Sequence, residues 1–162
     1  MIQKISYCSV YKFNDLKPDF DTIVISVLDY YTQVPRPDFH GYRSALKLSF
    51  KDRCEEEYGL THYWPNEVDE QLCEFYLGSR REKVFTLSMA QQIVNYFDAS
   101  HNLTEAAPTG LIVHCRAGVS RSSTIAHYLG KTYGIPVENL GTRKPRVNPR
   151  ILRMFDKTHR RL

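Results

Sequence analysis

The stretch Gly110-Leu-Ile-Val-His-Cys-Arg-Ala-Gly-Val-Ser-Arg-Ser122, continued by a helical pattern to Tyr133, decides how this chain folds. Gly110 to His114 is a short unbroken apolar run of the kind a strand buried on both faces requires. Ile125, Ala126, Leu129 and Tyr133 then recur at helical spacing, and Gly134 with Pro136 ends the pattern. Between strand and helix lies a tight loop bracketed by Cys115 and Arg121. A loop closed between a strand and a helix N-terminus turns its backbone N–H groups inward. The helix dipole adds to their partial charge, so the concavity attracts anions. A phosphate is the best-matched guest. The loop N–H groups of Arg116, Ala117, Gly118, Val119, Ser120 and Arg121 would meet its oxygens, and the Arg121 fork takes two of them side by side. The same positive field favours an ionised Cys115 sulfur, and an ionised sulfur beneath a bound phosphorus is a nucleophile in attack position. The plainer reading, a turn around a buried structural cysteine, leaves Arg121 and Gly118 without a purpose.

Working outward, Thr22 to Leu28 is a second buried β-rich run, Lys4 to Val10 an opening strand with Ile5 and Tyr7 on one face, and Ala45 to Phe50 a third alternating strand. Met89, Ile93, Val94 and Phe97 predict a helix that a Ser88-x-x-Gln91 box would cap and that ends before Asn102. Ile151, Leu152, Phe155 and His159 predict a last helix. Between them, residues 51–84 mix charge runs with a short helix capped by Asn66, with Val68, Leu72, Phe75 and Tyr76 near one stripe. Strands alternating with helices predict an α/β fold: a mainly parallel central sheet flanked by helices on both faces, with its ligand at the carboxyl ends of the strands. Cys115 falls at such an end.

The 162 residues suit a single domain spanning 1–162, and 42% hydrophobic residues suffice for a core. No apolar run approaches the ~20 residues of a membrane span, and no charged-then-apolar leader is seen. The cysteines at 8, 54, 73 and 115 lack a paired metal or disulfide spacing. A catalytic thiol needs a reducing compartment, so a cytoplasmic setting is expected. The net charge of +4 gathers late, at Arg143, Lys144, Arg146, Arg150, Arg153, Lys157, Arg160 and Arg161. These read as a solvated helix face and basic tail, or as an attractor for acidic substrates. No nucleic-acid motif accompanies them.

The run His114-Cys-Arg-Ala-Gly-Val-Ser-Arg-Ser122 resembles the His-Cys-x5-Arg-Ser/Thr signature of the cysteine-dependent protein tyrosine phosphatases, and most closely their dual-specificity branch. The resemblance is strong over 110–130 and weaker over the rest of 20–160. It implies hydrolysis of phosphomonoesters, phosphotyrosine or other phosphorylated protein residues foremost, through a thiophosphate enzyme, with no metal or other cofactor. It implies Cys115 as nucleophile and Arg121 as phosphate clamp. Ser122 would be the hydroxyl that bonds the departing thiolate, and His114 a supporting residue. Phosphate, sulfate and vanadate are the oxyanions expected in the loop. The alternatives are a catalytically weak phosphate-reading module, a phosphatase for a non-protein phosphoester, and a sulfur transferase or arsenate reductase, which the Cys115 and Arg121 flanks disfavour. Arg146-Val-Asn-Pro149 resembles the family's late Arg-x-x-x-Pro-Asn segment, with Asn and Pro exchanged.

Expulsion of an alkoxide or phenoxide calls for a proton donor. The family's pattern implies Asp52, just past the strand 45–50, although it lies farther upstream of Cys115 than the family's usual gap. Residues 53–84 then read as an insertion, a mobile cover over the site. Trp64-Pro65-Asn66 looks like the Trp-Pro-Asp acid loop of larger tyrosine phosphatases, but Asn66 has no proton to give, leaving Glu67 or Asp69 as the other candidates. Cys54 or Cys73 as a disulfide partner for Cys115, and a ring-binding wall of Tyr30, Tyr31, Tyr42 and Arg36, complete the expectations.

Overall fold

A computed structural model of the protein describes residues 1–29 and 34–159. Its five strands are β1 (Lys4–Ser9), β2 (Thr22–Leu28), β3 (Ser44–Ser49), β4 (Gly110–Cys115) and β5 (Val137–Asn139). They form one sheet of order β3-β2-β4-β1-β5 in which every neighbouring pair is parallel. The helices are α1 (Val10–Asp15), α2 (Glu70–Leu77), α3 (Leu87–His101), α4 (Arg121–Tyr133) and α5 (Pro149–His159). The expected α/β architecture, a parallel sheet flanked by helices, is the one found.

The period-2 alternation of the strands sorts their side chains onto two faces. Ile5 and Tyr7, Ile23, Ile25 and Val27, and Leu111, Val113 and Cys115 point toward α3, α4 and α5, where Ile93, Phe97, Ile125, Leu129, Ile151 and Phe155 complete the main core. Burying each such side chain contributes about 1.5–3 kcal/mol, so this face dominates the stability. Cys8, Val24 and Ile112 point the other way, under α1 through Phe13 and under Phe39 and Tyr42. Strand β4, paired on both edges with β1 and β2, is the axis of the molecule.

Several boundaries differ from the sequence expectations. The opening strand ends at Ser9, whose side chain accepts from Lys12 N and caps α1, a six-residue helix too short to show a 3.6-residue period. Helix α2 is capped by Asp69 rather than Asn66, and its inward residue is Cys73, while Phe75 is 80% exposed. Thr86, not Ser88, caps α3 by accepting from Met89 N. Helix α4 begins one residue earlier than expected, and β5 was not foreseen. On α5 the buried residues are Arg150, Ile151, Met154, Phe155 and Thr158, with His159 exposed.

Residues 53–84, expected as a mobile cover, are tied to α5 at Glu55, Glu56, Pro65 and Asn66. A 3₁₀ turn, Glu55–Tyr58, places the Glu55 carboxylate inside the protein, 1% exposed. Arg150, itself fully buried, donates from Nη1 to Glu55, from Nε to Phe85 O at 2.7 Å and from Nη2 to Pro65 O at 2.8 Å. Arg153 pairs with Glu55 and Glu56, and Lys157 donates to Asn66. Trp64, Val68, Cys73 and Val84 form a satellite core beside these bonds. The late basic residues are therefore only in part a solvated face: Arg150 and Arg153 are internal anchors. Arg160 and Arg161 lie outside the described residues.

Candidate active site

The carboxyl ends of β1, β2, β3 and β4 converge on the loop 116–120. Gly118 shows why the loop can sit so low. Its φ is +68°, and a Cβ there would lie 2.3 Å from Ser9 N and 2.5 Å from Cys8 C, so only glycine lets the loop rest on the end of β1. That pose turns Gly118 N toward the Cys115 sulfur, to which it donates at 3.2 Å. Ser122 Oγ lies 3.1 Å from the same sulfur, and both side chains are buried. Ser120, the residue before α4, makes no side-chain cap bond to the helix backbone; its hydroxyl turns instead to Asp52. The helix N-terminus thus keeps its anion-attracting character beside the sulfur.

Arg121 enters the site almost buried, from the first turn of α4. Its Nη1 donates to Asp29 and to Phe50 O, the latter at 2.7 Å. Both bonds use one terminal nitrogen, which leaves the Nε–Nη2 edge outside them. That edge has the spacing that grips two oxygens of one phosphate. Asp29 stands directly after β2 and Phe50 directly after β3, so the ends of these two strands each supply a partner for the guanidinium. Asp29, Arg36, Phe39 and Lys47 also line a cavity of ≈ 490 Å³ beside it.

Asp52 is drawn to the loop by a hydrogen-bonded net. Its Oδ1 accepts from Ser120 Oγ at 2.9 Å and from Asn148 Nδ2 at 2.7 Å, while Oδ2 accepts from Arg146 at 3.3 Å. Arg146 N also donates to Val119 O at 2.8 Å, tying the segment before α5 to the loop. The other acid candidates are spent on local structure. Glu67 accepts from the backbone and hydroxyl of Ser88, both at 2.7 Å, and Asp69 caps α2. Of the three carboxylates, Asp52 is the one bonded to a residue of the loop.

His114 makes no hydrogen bond through either ring nitrogen. It stacks on Phe13 with centroids 4.5 Å apart, on the α1 face and thus opposite to the Cys115 side. Burial pushes its pKa down to about 4, so the ring is neutral at pH 7 and packs among Phe13 and Phe39. Burial first, and then the neighbouring Cys115 sulfur, pushes the Cys8 thiol up to about 12, with Lys12 opposing. Cys8, Cys54, Cys73 and Cys115 are all free thiols. Cys73 packs in the satellite core, apart from the cluster that holds Cys115. Tyr42 is a stacked core residue against Phe13, and Tyr30 and Tyr31 lie outside the described residues, so the expected wall of rings is not assembled from Tyr42.

Among the described residues, no group of three or more His, Cys, Asp or Glu side chains could hold a metal ion, and no helix is long and apolar enough to cross a membrane. Sequence reasoning missed Asp29 and the role of Asn148. The rule that ligands sit at strand carboxyl ends in parallel sheets pointed to Asp29; nothing local pointed to Asn148 beyond its place in Arg146-Val-Asn-Pro149. The chain matches no family model and no curated protein.

Proposed function

We propose that the protein is a cysteine-dependent phosphatase of the protein tyrosine phosphatase type, acting on phosphomonoesters and foremost on phosphorylated protein residues. The observation that carries this reading is the seat of the Cys115 sulfur. It accepts from Gly118 N, faces the Ser122 hydroxyl and lies at the N-terminal end of α4, where negative charge is favoured.

In the first step the Cys115 Sγ electron pair forms a bond to phosphorus. The bond from phosphorus to the leaving oxygen breaks, its electron pair goes to that oxygen, and protonated Asp52 supplies the proton. Arg121 and the loop N–H groups hold the equatorial oxygens, on which charge is spread in the transition state. In the second step water attacks phosphorus and the Asp52 carboxylate takes its proton. The sulfur–phosphorus bond breaks, its electrons return to Cys115, and the Ser122 hydroxyl donates to the departing thiolate. A reducing, cytoplasmic setting suits a free nucleophilic thiol.

The test is turnover of a generic aryl phosphate in chelator-treated buffer, beside Cys115→Ser. The expected result is turnover by the native protein, none by the variant, and phosphate binding by both in calorimetry. Binding without turnover by the native protein would make the loop a phosphate-reading module, and undiminished activity of Cys115→Ser would refute the reading altogether.

A further inference from the structure

We propose that Asn148 is a positioning residue that determines which oxygen of Asp52 carries the transferable proton; this rests on the reading of Asp52 as the general acid. A carboxylate oxygen offers about two in-plane acceptor sites. Oδ1 of Asp52 has both filled, by Asn148 Nδ2 at 2.7 Å and Ser120 Oγ at 2.9 Å. Oδ2 meets only the longer bond, 3.3 Å, from Arg146, whose side chain is 72% exposed and easily displaced. The proton therefore resides on Oδ2, and from there it passes to the leaving oxygen as the bond to phosphorus breaks.

Asn148 is able to impose this because its own amide has no freedom. The residue is 3% exposed. Its Oδ1 accepts from Arg150 N at 3.0 Å and Ile151 N at 3.2 Å, capping α5, while its backbone N donates to Thr124 Oγ1 at 3.0 Å on α4. Its Nδ2 also reaches Arg53 O at 3.3 Å, beside Asp52. A flipped amide would set its oxygen against a carboxylate and its NH₂ against two N–H donors, so the network admits one orientation. One side chain thus fastens α5 and aims the acid.

Two substitutions separate these roles. Asn148→Ser keeps a hydroxyl for the cap but is too short to reach Asp52. Asn148→Asp keeps both the cap and the reach, but puts a carboxyl where the donor was, so that a proton is drawn between the two acids and away from Oδ2. Each is assayed with an aryl phosphate of acidic leaving group and with phenyl phosphate, beside Asp52→Asn. The expected result for both is a kcat lower by about 10²-fold on phenyl phosphate, as for a misplaced catalytic group. The effect on the acidic leaving group should be less than about twofold, with KM and vanadate affinity kept and no further loss on combination with Asp52→Asn. If Asn148→Ser does not fold, the same selective loss is required of Asn148→Asp. Should Asp52→Asn be selective while the Asn148 variants slow both substrates alike, or neither, Asn148 is a structural cap and the proposal falls alone. Should Asp52→Asn itself show no selectivity, the acid reading falls and the proposal with it.

Discussion

Replacing Arg150 with methionine should show how firmly residues 53–84 belong to the core. The substitution keeps apolar volume but removes three donors at once, to Glu55, Phe85 O and Pro65 O. It also removes the guanidinium that lies 5.7 Å from the Trp64 ring centroid. The two carbonyls lose a charged donor, each at about 1–3 kcal/mol if no water replaces it. Glu55 keeps Arg153 and the Trp64 N–H, which donates at 3.3 Å, but stays 1% exposed with half its counter-charge gone. Breaking a buried pair from one side typically costs about 3–5 kcal/mol, a large part of the roughly 5–15 kcal/mol that holds a domain of this size. The assay is urea unfolding followed by tryptophan fluorescence, since Trp64 is the chain's one tryptophan and reports on the satellite core. Adding Glu55→Gln to Arg150→Met should recover part of the loss, because the stranded charge is then gone. A loss under about 1 kcal/mol, or no recovery in the double variant, would refute the claim that the segment is tied to α5 through this pair.

Three other outcomes are expected. The His114 pKa of about 4 lies below the ordinary 6.5, so the unfolded chain takes up the proton first and His114 costs stability as pH falls from 6.5 toward 4. Comparison of His114→Phe with the native protein should show that acid loss shrink by about 3 kcal/mol, and equal pH slopes would mean that the ring finds a partner on protonation. Gly118→Ala should destroy oxyanion binding measured by calorimetry and lower the melting temperature, since its Cβ would meet the Ser9 and Cys8 backbone at φ +68°; native-like affinity would show that the loop has room to rise. Arg121→Lys cannot serve Asp29, Phe50 O and two phosphate oxygens together, so transition-state stabilisation should drop by about 3–4 kcal/mol in kcat/KM, and near-native kinetics would place the arginine outside the site.

Strands β2 and β4 could be read from the sequence because both their faces are buried, which leaves an unbroken apolar run between turn residues. Helices α3 and α4 are long enough for a 3.6-residue period to stand out, and Gly134, at φ +67°, closes α4 as its place predicted. Caps were harder, since Asn66 and Asp69, or Thr86 and Ser88, offer similar side chains two or three residues apart and tertiary packing selects between them. Strand β5 has three residues and no pattern. Arg150 looked like one more charge in a basic tail because burial of a cation depends on Glu55, 95 positions earlier, being folded beneath it. The same holds for Asp29 beside Arg121, 92 positions apart. Local spacing carried the strand, loop and helix around Cys115; the partners that aim Arg121 and Asp52 come from distant strand ends and from the start of α5.

On the proposed function, Cys115 attacks phosphorus and carries the phosphoryl group between steps. The most direct test of that function is a rapid acid quench during turnover of an aryl phosphate, followed by mass spectrometry of the peptides. A phosphoryl group is expected on Cys115 that appears within the first turnover, disappears when substrate is exhausted, and is absent in Cys115→Ser. Steady turnover with no adduct on Cys115, or with the adduct on another residue, would contradict the proposed function.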